Sequence, residues 1–177
     1  MTLTFKEAWT AFHGMVLGGT FLLAFTGVLV ALYNMRPDLV VAGSLPTRVR
    51  QLNVGTWLMA GVIWLTVISG TFLVYPWYSS SPPEGVEITQ AYPKAYLKAD
   101  PALKPWHSFG MEWKEHVAWI SPFLATAVAY IVWRYGTQLA TEEQLRKIIS
   151  TIFILSFLIV GIAALLGALI TKTAPVV

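Results

Sequence analysis

Residues 148–171 read IISTIFILSFLIVGIAALLGALIT, 24 positions without a single charged side chain. About 20 apolar residues cover the hydrocarbon core of a bilayer as a helix, so this stretch is long enough to cross. It lacks the alternation of apolar and polar positions that a barrel strand needs. Thr141, followed by Glu142, Glu143 and Gln144, has the form of a capping box and predicts a helix that starts before the membrane.

Three further stretches have the same character. Residues 14–33 run for 20 positions without a charge, residues 54–75 for 22, and residues 117–133 for 17. The third extends N-terminally if a few polar residues sit at the interface. Pro122 lies inside it and predicts a kink near Ala118, because proline has no N–H for the carbonyl four residues back. Trp9, Trp57, Trp77, Trp106, Trp113 and Trp133 fall near the ends of the apolar runs, where indoles favour the headgroup level.

The fold expected is all-α: an integral membrane four-helix bundle forming a single transmembrane domain over residues 1–177. Its helices are expected at about 8–34, 54–76, 110–135 and 142–171, with a long extramembrane loop, 77–109, between the second and third. Counting from Pro76, that connection holds six prolines and the run Ser79, Ser80, Ser81, and reads as an extended, turn-rich surface segment. A connection this long is more often functional than idle, and it is the expected contact with other membrane subunits.

Composition agrees. The chain is 56% hydrophobic and 12% charged, with a mean hydropathy of +0.62, against about 25% charged in soluble domains. It has no cysteine, which excludes disulfides, thiolate metal sites and covalent haem attachment. Its net charge of +3 is dispersed, so nucleic acid is not an expected partner. A cleaved leader is not expected, since Lys6 stands beside Glu7 and the apolar stretch that follows is long enough to span.

Arg36, Arg48, Arg50, Arg134, Arg146 and Lys147 crowd the short connections. Weighting charges near helix ends predicts these on the cytoplasmic side, with the termini and loop 77–109 outside.

Of the three histidines, His13 lies one turn inside Trp9, and His116 about one turn inside Trp113. The first and third helices cross in the same direction, so both imidazoles fall at similar depth near one face. In an up-down-up-down bundle those helices are diagonal. Two inward imidazoles there could hold the iron of one haem b, with Gly14, Gly18 and Gly19 giving the first helix a thin face for the macrocycle. Equally, Gly14 and Gly18 form a small-xxx-small pair that joins helices without a cofactor, and the histidines could hold another metal or handle protons.

Ser108, Glu112 and His116 share a helical stripe, with Glu115 adjacent. Glu112 is thus a possible non-haem metal ligand or proton relay; it could equally be a solvated residue in a first helical turn. His107, nine residues before His116, points to the opposite face if one helix carries both, and is expected to be exposed. Tyr75, Pro76, Trp77 and Tyr78 end the second helix on the histidine side, as an interface belt or the edge of a quinone site.

The helix count and the paired histidines resemble four-helix b-type membrane cytochromes and the quinone-linked membrane anchor subunits of respiratory complexes. The resemblance covers the four helices and no family signature. It implies a membrane subunit of a respiratory or photosynthetic electron-transfer complex, in a bacterial-type cytoplasmic membrane, that binds one haem b or contacts quinone near one face. Families of this kind often carry ligands near both faces, and this chain has histidines near one only. The alternatives are a cofactor-free structural accessory subunit or an assembly factor of a membrane metallo-oxidase, and a membrane enzyme with a His/Glu metal site, for which no His-Glu-x-x-His motif is present.

Overall fold

The computed structural model describes residues 2–176, and they form no strand. Four helices are long and apolar enough to cross a membrane: α1 (Phe5–Tyr33), α2 (Leu45–Tyr78), α4 (Trp106–Tyr135) and α5 (Glu143–Thr173). A short helix, α3 (Pro93–Ala99), lies in the long connection. The chain thus has the architecture of a multi-pass membrane protein.

Each long helix packs on its neighbours in sequence, and α5 closes back on α1. That places α1 diagonal to α4. The core of the bundle is apolar. Phe25 stacks between Phe153 and Phe157, with ring centroids 5.1 and 4.0 Å away, and Phe21 meets Phe153 edge-on. Leu32, Ile63, Ala129 and Val132 fill the space around them. The outward surface is apolar as well: Leu23, Leu58, Phe72, Phe123 and Leu165 are exposed. Helices that are apolar all round need a lipid solvent or a larger protein.

The bends have local causes. The ordinary turns of α4 are interrupted by a tighter turn at Val117–Trp119, in the turn before Pro122, as the missing proline N–H demands. Two hydroxyls hold this region: Ser121 and Ser156 share a bond of 2.7 Å across the α4–α5 contact, and Thr126 donates to the Pro122 carbonyl.

Several expected boundaries are corrected. α2 begins at Leu45 rather than 54, with Pro46 in its first turn, so the first connection is short. Within it, Arg36 pairs with Asp38 at 3.0 Å, and that carboxylate holds the guanidinium above its usual pKa. α1 begins at Phe5, because Thr4 and Glu7 form a reciprocal capping box. The box expected at Thr141 does not form: Glu142 is the cap residue, without a side-chain cap bond, and the Thr141 hydroxyl donates to the Gln138 carbonyl.

The long connection is not simply extended. It begins with a turn in which Val86 N–H bonds the Pro83 carbonyl, and Gly85 supplies the positive φ of +77° at the third position. It then folds back over the bundle end. Pro93 and Leu97 of α3 are buried, and Leu97 clusters with Tyr78, Met111, Ile170, Ala174 and Val176.

Candidate functional site

Beneath that cap the helices change character. α1 is π-helical over Phe12–Gly18, α2 over Gly70–Val74 and α4 over Trp106–Met111. All three segments lie at the loop end of the bundle. A π turn holds an extra residue and is found mostly where function keeps it. Here the underwound turns carry or adjoin the ionisable side chains of the interior.

His13 sits in the α1–α2 contact. Its Nδ1 lies 3.2 Å from the Ser69 hydroxyl, which itself donates to the Thr66 carbonyl. The imidazole lies flush on Gly70: a β-carbon there would come within 2.5 Å of its Cε1. Only glycine leaves room for the ring. Gly18 is buried with Thr66 as neighbour, so it serves close helix packing, whereas Gly14 faces open space.

His107 is buried, which corrects its expected exposure. Its Nδ1 lies 2.9 Å from the Tyr78 hydroxyl. The error was in the helix start: α4 opens at Trp106, so His107 joins the inward stripe with Gly110 and Met111.

Lys114 continues that stripe. Its ammonium lies over Gly167 of α5, where a β-carbon would collide with Nζ, and its charge reaches His13 across the bundle. No ion pair among the described residues compensates it. Beside it, the Glu115 Oε1 is buried without a partner. The indole N–H of Trp113 is likewise buried and unpartnered.

His116 is elsewhere. Two residues past Lys114 is a rotation of about 200° on a helix. The His116 side chain is accordingly 70% exposed, with Nδ1 3.1 Å from the Glu112 carbonyl and 3.4 Å from its carboxylate. Ser108, Glu112 and His116 do form a stripe, and it is the outer one.

His13 and His116 therefore do not face each other, and a haem iron held between them within this chain does not fit the geometry. His13 and His107 make no substitute pair. Their anchors, Ser69 and Tyr78, are nine residues apart on α2, roughly 13 Å along the axis. No group of three or more His, Cys, Asp or Glu side chains is gathered to hold a metal ion among the described residues, Glu112 included.

The site is thus a set of donors and acceptors at the loop end: the buried pair Tyr78 and His107 nearest the cap, with the half-buried Tyr75, Glu115, Lys114 and His13. A comparison of the chain with family models, curated proteins and solved structures finds no match.

Proposed function

We propose that this chain is a membrane subunit of an electron-transfer complex and contacts a quinone near the membrane face at its loop end. The observation that carries the reading is the Lys114 ammonium, without an ion pair among the described residues, beside the unpartnered Glu115 Oε1 at the loop end of the bundle. Ionisable groups at such positions are costly and mark pathways or sites. A bound quinone would supply two-electron, two-proton redox chemistry. The donor suited to a carbonyl oxygen is the Lys114 ammonium. Glu115 offers a carboxylate oxygen that can receive a proton. The line Tyr78–His107 leads from there toward the cap and the aqueous side. Tyr96, Leu97, Leu103 and Trp106 of the cap pack over this end.

The membrane concerned is a bacterial-type cytoplasmic membrane, with the termini and loop 77–109 outside. The basic residues of the short connections support that orientation. Loop 77–109 also presents the surface on which a neighbouring subunit docks.

Quinone retained by the chain, purified with its complex, tests the reading. Extracted quinone should be near stoichiometric in the natural protein and fall at least tenfold in Lys114→Met and in Glu115→Gln, while Ser108→Ala retains it. Equal amounts in all preparations, or none in any, would put the cofactor-free accessory subunit or assembly factor first.

A further inference from the structure

A second polar feature lies outside the bundle, on the cap. A concavity of about 380 Å³ opens between the end of α2 and α3, lined by Ser79, Ser80, Ser81, Ile88, Lys94 and Lys98 together with two alanines. Lys94 and Lys98 are one turn apart on α3, so their ammonium groups share a face. Like charges at that spacing are mutually destabilising. No carboxylate lines the concavity, and no ion pair among the described residues reaches either lysine. Both charges bear on His107 from above. Ser79 and Ser80 donate to the Pro76 and Trp77 carbonyls, the first through a long bond of 3.4 Å, while the Ser81 hydroxyl lies at the exposed rim.

We infer that this concavity binds a phosphate group, with Lys94 and Lys98 as its charged contacts and the Ser81 hydroxyl as its neutral donor, since those of Ser79 and Ser80 are committed to carbonyls. The position selects the source. Ser79 directly follows Tyr78, the last residue of a membrane-crossing helix, and Trp77 packs edge-on against Phe5 of α1, so the site stands at the aromatic boundary level. Ile88 gives it an apolar lip. Phosphate at that level belongs to lipid headgroups, and basic pockets at helix ends take anionic ones. The phosphate also brings negative charge over the two ammonium groups and so offsets their mutual repulsion.

The test uses the full chain in phosphatidylcholine nanodiscs. Phosphatidylglycerol is titrated in one arm and inorganic phosphate in the other, with retained ligand read by native mass spectrometry. The expected result is saturable phosphatidylglycerol binding that falls at least tenfold in the double variant Lys94→Gln, Lys98→Gln. Lys104→Gln, a single lysine of the same loop, should leave it unchanged. Competition by millimolar inorganic phosphate, lost in the same double variant, would uphold the phosphate site and assign it to the free ion. Binding in neither arm, or an equal loss in Lys104→Gln, would overturn the proposal. Melting temperatures of the variants without added ligand, equal to that of the natural chain, separate lost binding from lost folding.

Discussion

The two ends of this bundle solve different problems with the same four helices. Away from the cap, the turns are regular and the interior is hydrocarbon: Phe21, Phe25, Leu32, Ile63, Ala129, Val132 and Phe153. The polar side chains there are few and mostly paired, as Ser121 with Ser156, and Trp64 Nε1 with Thr126 Oγ1 at 3.0 Å, with the buried Asn53 Oδ1 left without a partner. Toward the cap, three helices are π-helical. Between the helices there lie two imidazoles, an ammonium, a carboxylate and two phenols, of which His107 and Tyr78 are buried and the rest half-buried. Two polar atoms in that half, Trp113 Nε1 and Glu115 Oε1, are buried and unpartnered. Local rules are broken more often toward the cap than away from it. Such breaks concentrate where a site is kept at a cost in stability. The lower half holds the bundle together so that the upper half can carry groups that would not hold it.

The sharpest way to break this comparison is to damage the regular half. Phe153 is fully buried and meets both Phe21 and Phe25. Phe153→Ala removes that ring from a close-packed interior and should cost about 3–5 kcal/mol. Reversible unfolding in mixed micelles measures it. A loss under about 1 kcal/mol would mean that the apolar half does not supply the stability, and the division of labour drawn above would fail.

A smaller effect tests the upper half. Gly70→Ala sets a methyl group into the ring of His13. Overpacking of this kind costs about 1–3 kcal/mol. The diagnostic is coupling: in a His13→Ala background the same change should be close to neutral, because the collision partner is gone. An unaltered penalty in that background would show that the ring does not rest on Gly70. The contrast with Phe153 would then lose its geometric basis.

How much of this was legible in the sequence follows from what each signal depends on. The four helices were readable because uncharged runs of 20 residues are decided by the solvent, not by tertiary context. The irregular turn before Pro122 was readable because its cause is covalent. The helix starts were not. Thr4 and Glu7 cap α1 through a pattern present in the sequence but masked by the interest of the run Thr141 to Gln144, which has the same pattern and a different geometry. At the site, depth was legible and direction was not. His13 and His116 were chosen for their imidazoles. The inward face of α4 is set by His107, Gly110, Met111, Ser121, Pro122 and Ala125, all buried, and Lys114 falls on that line. Small and apolar residues at helical spacing mark the stripe. Following it from Ala125 backward would have pointed to Lys114 and His107 instead of His116. The π-helical turns, by contrast, leave no pattern in a single sequence.

The smallest expected effect is on the outer stripe, and it separates the two histidines of α4. The His116 side chain is 70% exposed and bonded only to its own helix, at Glu112. An exposed group with a partner one turn away contributes little, because solvent offers equivalent bonds and screens the charge. His116→Ala should therefore shift stability by no more than about 0.5 kcal/mol. It should also leave the visible spectrum of the dithionite-reduced chain unchanged. His107→Ala differs in kind, since it leaves the buried Tyr78 hydroxyl without its partner at 2.9 Å, a loss of about 1–3 kcal/mol. Measuring both in one background tests the helical phase of α4 directly, because their nine-residue spacing places one on each face. If His116→Ala instead abolished a reduced b-type band assigned to this chain, His116 would be an iron ligand. The turn that carries it would then have to rotate inward, and Lys114, two residues away, would be carried off Gly167 toward the lipid.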